Sequence, residues 1–218
     1  MQALSPVERL SQVFLQYKPI TYRKRELVLR ANDTPQGVYY IKRGFVRFYS
    51  LSSDGEELTF MVFQKHDFFP VRWAVTGQAM TYYYETMTPT QLHLAPRGEF
   101  LSFLKTNSDV VFYLMENMLI RLRNLYERME YMAYGHASVK VALMLVICSE
   151  RYGVKENGGV RIQVPLTHKD IASLVSVTRE TVSVEMETLA KQGIIAYRNR
   201  YIFVPDIKKL QKASHLAT

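Results

Sequence analysis

The sequence predicts an α+β fold, with strands in the first half and helices dominating the second. Three observations carry this. From Pro19 to about Pro96, short apolar runs alternate with turn signals. From Ser108, apolar residues recur with heptad spacing. From Thr167 to Leu189 the chain reads as a helix, a tight turn and a second helix, and a β-hairpin follows.

Residues 4–16 have the pattern of a short amphipathic helix entered at Ser5-Pro6, because proline is preformed for a first helical turn. The strand candidates are 28–29, 37–41, 44–49, 58–63 and 91–94, rich in aromatic and β-branched residues. Asn32-Asp33-Thr34-Pro35, Lys42-Arg43-Gly44 and Ser53-Asp54-Gly55 separate them, and this spacing fits a small sandwich or barrel.

Past Arg97-Gly98-Glu99-Phe100, a long helix begins near Ser108. Val111, Met115, Met118, Leu122, Leu125, Met129 and Met132 alternate spacings of four and three, which is a coiled-coil seam. Arg121, Arg123, Glu127, Arg128 and Glu130 flank it as edge charges would. A single helix lying on its own β-domain fits the same spacing. Met118, Met129 and Met132 make a seam that can repack, since thioether side chains adapt to new neighbours. Tyr134-Gly135-His136 breaks the helix. Ala137 to Tyr152 is a further apolar helix, and Lys155 to Gly159 is a polar, exposed turn.

Thr167 is placed as an N-cap with Asp170 three residues on, a capping-box pattern. Ile171, Ala172, Leu174 and Val175 give that helix its apolar face, and Ser176-Val177 make the turn. Thr178 caps the second helix. Val182, Met186 and Leu189 bury one face, while Arg179, Glu180, Ser183 and Glu187 occupy the other. Gly193 suits a left-handed C-terminal cap. The hairpin then runs 194–197, turns at Arg198-Asn199, returns over 200–204 and stops at Pro205. A helix pair followed by a hairpin with a basic tip is a winged helix-turn-helix. A helix entering the major groove sets its first side chains against base edges, where Arg reads guanine and a carboxylate accepts from cytosine. Arg179 and Glu180 supply that pair. By spacing alone, a surface turn with both residues solvated fits equally well.

Composition narrows the classes. The chain has 218 residues, 48% of them hydrophobic, and a formal charge of +8, which favours a polyanionic partner. Residues 136–218 hold 12 Lys/Arg against 7 Asp/Glu, and residues 1–135 hold 16 against 13, so the shorter C-terminal part is the more basic per residue. No signal peptide or membrane-spanning run is read, and a cytoplasmic location is expected. Cys148 is the one cysteine, so an intrachain disulfide and a four-thiolate iron–sulfur cluster are excluded; it reads as a buried, inert thiol. His66 and His93 each stand without ligand spacing, and no metal or cofactor is expected. No nucleophile–base–orienter set or phosphate loop is found, so an enzyme is not expected.

The residues Leu166-Thr167, Ile171-Ala172, Val175, Thr178-Arg179-Glu180-Thr181-Val182-Ser183, Leu189 and Gly193-Ile194-Ile195 resemble the cAMP receptor protein and fumarate–nitrate regulator (Crp–Fnr) superfamily of bacterial transcription regulators. The Tyr-Tyr-Ile-x-x-Gly-x-Val run at 39–46 is similar to that family's β-roll. The resemblance implies an N-terminal double-stranded β-helix, a jelly-roll-like β-roll, over residues 1–106. It implies a dimerisation helix and hinge over 107–135 and a winged helix-turn-helix over 136–218. It implies a homodimer paired through Met115, Met118, Leu122, Leu125, Met129 and Met132. Arg179 and Glu180 would read bases in double-stranded DNA, helped by Thr178 and Ser183. Thr167, Lys169, Arg198 and Arg200 would hold phosphates. RNA polymerase is the implied further partner. Two departures stand out: Val184 replaces a second base-reading arginine, and Ser176 replaces the usual turn glycine.

The effector region departs further. Cyclic-nucleotide binders of the family present Gly-Glu on a short helix and then an Arg followed by Ser or Thr. This chain offers Phe68-Phe69-Pro70-Val71-Arg72-Trp73 and then Thr81 to Glu85, and Leu125-Tyr126 where the adenine-contacting Thr-Ser would fall. The cAMP-binding cassette is therefore expected to be absent. Two readings stay open. Arg72, Trp73, Tyr82, Tyr84, Leu125 and Tyr126 line a pocket for another small-molecule effector, or the pocket is filled by its own side chains. An interaction module whose helix-turn-helix no longer reads DNA is the competing function.

Overall fold

A computed structural model describes residues 4–214. They form two compact units. One takes the chain through Asp54 and then Phe60–Arg123; the other takes Gly55–Thr59 and the chain from Asn124 on.

The first unit opens with α1 (Pro6–Leu15), and its capping box is reciprocal: the Glu8 N–H donates to Ser5 Oγ and the Ser5 N–H donates to Glu8 Oε2. The strands follow as β1 (Ile20–Tyr22), β2 (Leu27–Leu29), β3 (Val38–Arg43), β4 (Val46–Leu51), β5 (Glu57–Phe63) and β6 (Phe68–Phe69). Then come α2 (Val71–Thr76), β7 (Tyr83–Thr86), β8 (Thr90–Ala95), α3 (Arg97–Thr106) and the long α4 (Ser108–Tyr134). The strands make two four-stranded sheets, β1-β8-β3-β6 and β2-β7-β4-β5. The pairing is antiparallel where β3 meets β8, with Val38 opposite Ala95 and Ile41 opposite Leu92.

Alternation along β3 explains two cores at once, since successive side chains point to opposite faces. Tyr39 and Ile41 join Leu29, Val46, Phe69 and Tyr84 in one cluster. Val38 and Tyr40 join Leu10, Phe14, Phe100 and Val110 under the helices. Phe14 has no solvent exposure and stacks on Tyr40 at 5.3 Å between centroids; truncating such a ring costs roughly 3–5 kcal/mol. Gly44 turns β3 into β4 at φ +101°, and a Cβ there would lie 2.4 Å from Thr90 Oγ1, so both backbone and space require glycine.

The second unit contains the C-terminal part of α4, then α5 (Ala137–Tyr152), β9 (Gly153–Glu156), β10 (Gly159–Ile162) and α6 (His168–Val175). It continues with α7 (Arg179–Lys191), β11 (Ala196–Arg198), β12 (Tyr201–Val204) and α8 (Ile207–Ala213). The wing sheet has the order β11-β12-β10-β9. Cys148 is buried on α5, and burial pushes its thiol up to about 12, which makes it inert.

Several expectations need correction. Lys155 to Gly159 is part of a paired hairpin in the wing sheet, not a bare turn, because Asn157-Gly158 reverses the chain between two hydrogen-bonded strands. The wing tip is Asn199-Arg200, both at positive φ, rather than Arg198-Asn199; Arg198 pairs with Tyr201 and belongs to β11. The chain before the long helix is itself helical over α3. Arg121 and Arg128 are not seam-edge charges. Arg121 pairs with Asp67 and lies 5.8 Å over the Phe63 ring. Arg128 is only 8% exposed and donates to the carbonyls of Thr59, at 2.8 Å, and Leu174. After the wing the chain is helical through Ala213, and residues past Ser214 lie outside the described ones.

Candidate nucleic-acid interface and effector region

The helix-turn-helix is held by its caps. The Asp170 N–H donates to Thr167 Oγ1 at 3.2 Å, and the Thr167 N–H and hydroxyl both donate to Asp170 Oδ2, at 2.9 and 2.6 Å. Asp170 is buried beneath this cap. α6 ends at Ser176 in the left-handed conformation, φ 53° and ψ 51°. The turn thus keeps the geometry that glycine adopts without strain, at a cost to serine of about 1 kcal/mol.

α7 starts one residue past Thr178, whose Oγ1 accepts from the Thr181 N–H at 3.1 Å. Val182, Met186 and Leu189 are buried, as their spacing predicts, and fix the helix rotation. Arg179 and Glu180 stand exposed at the N-terminus, with Thr178 beside them. Val184 is 62% exposed on the same helix, an apolar side chain facing solvent. Ser183 is half-buried and donates to the Arg179 carbonyl at 2.9 Å.

The other charged residues are arranged as follows. Lys169 Nζ lies 3.3 Å from Glu57 Oε1, within the second unit. The Arg198 guanidinium stacks over Phe203 at 3.4 Å, which fixes its stem while leaving the residue exposed. Arg200 stands at the wing tip with φ 70°. His168, which sequence reasoning passed over, joins Ser183 and Tyr197 through its two ring nitrogens. Its signal was its place between Thr167 and Lys169, at the first turn of a capped helix.

The six effector-region residues do not gather in one unit. Arg72 lies on α2, exposed, and donates to Gln78 Oε1 at 3.0 Å and the Ala79 carbonyl at 2.9 Å. Trp73 packs against both cores of the first unit. Tyr84 is buried and stacks on Phe69 at 4.7 Å, with ring planes 9° apart. Phe48 contacts Tyr82 and Tyr84, at 5.0 and 4.9 Å, while Tyr83 stacks on Tyr49, as alternation requires. Burial raises the Tyr84 phenol above its ordinary value, and the Arg72 charge pulls the other way. Leu125 and Tyr126 belong to the second unit and are 42% and 60% exposed. His66 Nδ1 pairs with the Tyr40 hydroxyl at 2.7 Å, and His93 Nδ1 lies 2.6 Å from the Tyr17 carbonyl. Among the described residues, no group of three or more His, Cys, Asp or Glu is placed to hold a metal. No helix among them is long and apolar enough to cross a membrane.

A capped helix pair with a four-stranded wing beside it defines a winged helix-turn-helix domain. Comparison with known proteins narrows the class. Residues 139–213 match the Crp-like helix-turn-helix domain family, and residues 19–107 match the cyclic nucleotide-binding domain family. A global nitrogen regulator from Synechocystis sp. is 25% identical over 186 residues, which cover 84% of this chain and 83% of that protein. A CRP-like cAMP-activated global transcriptional regulator from Mycobacterium tuberculosis is 22% identical over 197 residues, 90% and 88% of the two chains. The structure of FixK2 from Bradyrhizobium japonicum superposes with a TM-score of 0.79 at 24% identity, over 93% of this chain and 99% of that one. The fold is that of the Crp–Fnr regulators, and the chain carries the domain pair of that type. Both relatives are global regulators, the second a transcriptional one. One expectation is corrected: the stretch read as lacking the cAMP-binding cassette matches the cyclic nucleotide-binding domain as a whole, so what differs is individual residues rather than the domain.

Proposed function

We propose that this protein is a sequence-specific DNA-binding transcription regulator that acts as a homodimer. One observation carries the reading: Arg179 and Glu180 are presented side by side, exposed, at the capped N-terminus of a helix whose rotation is fixed by three buried residues. Those two side chains read base edges, with Thr178 and Ser183 beside them. Thr167, Lys169, Arg198 and Arg200 hold phosphates, which positions the domain without specifying sequence. DNA then competes with Glu57 for Lys169.

Dimerisation is assigned to α4. Met115, Met118, Leu122, Leu125 and Met129 are 39–62% exposed, a stripe of apolar side chains along the predicted seam. A second copy of the helix covers such a stripe, and two recognition helices related by a two-fold axis read a palindrome with half-sites one helical turn apart. The three-part division at residues 106 and 135 assigns sensing, pairing and DNA reading to successive segments, with RNA polymerase as the further partner. The effector is not cAMP held in the usual way: Pro70 offers no N–H, and Phe63, Phe69 and Tyr84 are buried ring against ring in one core cluster, Phe69 stacked on Tyr84 and Phe63 tilted against both. That packing supports DNA binding without a small molecule.

The test compares two variants on the selected site and on random DNA. Arg179→Ala is expected to cost roughly 1–3 kcal/mol on the selected site and to relax specificity at one base pair. Arg200→Ala is expected to weaken both DNAs alike and to lower the salt slope by about one. Identical behaviour of the two variants contradicts these roles.

A further inference from the structure

A chain of hydrogen bonds runs beside the exposed face of α7. The Tyr197 hydroxyl lies 3.2 Å from His168 Nε2, and His168 Nδ1 lies 2.8 Å from Ser183 Oγ. Ser183 Oγ donates in turn to the Arg179 carbonyl at 2.9 Å. The chain links the first residue of α6, the exposed face of α7 and β11 of the wing.

Its direction follows from elementary chemistry. A serine hydroxyl has one proton and two lone pairs, and a carbonyl only accepts. The Ser183 proton is therefore committed to the Arg179 carbonyl, so Oγ accepts from His168. That places the ring proton on Nδ1. Nε2 of this neutral tautomer is an acceptor, and the Tyr197 phenol donates to it. Protonating the ring leaves the Nδ1 proton where it is, so the direction at Ser183 is the same in both charge states.

We propose that His168 is a positioning residue for base discrimination. It holds the Ser183 hydroxyl as an acceptor, with its proton spent inside the protein and one lone pair left to face DNA. In the major groove such a group pairs with the amino group of adenine or cytosine. It has nothing to donate to guanine O6 and N7 or to thymine O4. His168 thereby converts an amphoteric hydroxyl into a one-way reader. The proposal rests on the reading of α7 as a base-contacting helix.

The experiment selects binding sites from a random-sequence pool with the full-length wild type and with Ser183→Ala, His168→Ala and His168→Asn. The amide nitrogen of Asn sits near the Nδ1 position and retains the donor to Ser183. Thermal melting of each variant checks that it is folded. Expected is a position where the wild type prefers adenine or cytosine. Ser183→Ala and His168→Ala lose about tenfold discrimination there, and His168→Asn keeps it. The proposal is overturned if His168→Ala weakens all sequences equally and leaves that preference intact, which is the behaviour of a mere brace. It is equally overturned if Ser183→Ala moves no preference, or if the position prefers guanine or thymine. Absence of any selected sequence with the wild type overturns the DNA-reading function itself, and the wild-type arm alone reveals it.

Discussion

Ser176 carries more of the local energetics than its size suggests. It closes α6 at φ 53°, where a Cβ crowds the backbone, and it sits exposed at the turn. Ser176→Gly is expected to stabilise the second unit by roughly 0.5–1 kcal/mol, the relieved strain exceeding the entropy that glycine adds to the unfolded chain. Equilibrium denaturation checks this, and an unchanged or lowered stability contradicts it. Tyr39 gives a pH signature. Burial raises its phenol to about 12, so the folded state keeps a proton that the unfolded chain releases near the ordinary value of 10. That contribution is complete below pH 10 and is lost as pH rises from 10 through 12. The melting temperature of Tyr39→Phe is therefore expected to fall less steeply over that window than the wild type's. Parallel curves sink the attribution. At this scale the sequence was most legible where a residue has one local job: the caps at Thr167 and Thr178 were written in side-chain chemistry and spacing, as was the Pro6 start of α1. Arg128 was not, because a buried arginine on a heptad flank differs from an edge charge only through carbonyls brought to it by residues far along the chain.

Among the elements, α1 and the helices from α4 on announced themselves, whereas α2, α3 and the short strands did not. Val182, Met186 and Leu189 share a face through a period that needs no tertiary knowledge. β6 has two residues and β1 three, too few for alternation to register. β9 and β10 were legible in principle, since Asn157-Gly158 is a strong hairpin signal, but their flanks are polar and half-exposed. The effector region was half legible. The missing family residues were visible, whereas the stacking of Phe69 on Tyr84 depends on two strands in different sheets. The seam of α4 yields the prediction for this scale. Leu122→Glu with Leu125→Glu places four carboxylates in a paired seam and is expected to give monomers by sedimentation and to abolish palindrome binding. A dimer that survives both changes removes α4 from the interface. Replacing Met118, Met129 and Met132 together by Leu tests whether the seam must repack; unchanged DNA affinity and unchanged signal response rule that out.

Three features that stand apart in the sequence come together in the whole molecule: a basic C-terminal part, a capped helix with Arg179 and Glu180 exposed at its start, and an apolar stripe on a long helix. Their combination predicts a two-fold reader that works with the Phe63, Phe69 and Tyr84 rings packed in the core of its first unit. The most direct test is selection from a random-sequence DNA pool at physiological salt, using the purified, ligand-free protein. Recovery of a palindrome with half-sites one helical turn apart is the predicted result. Weak binding without a selected sequence contradicts it, and with it the claim that this chain reads DNA unaided.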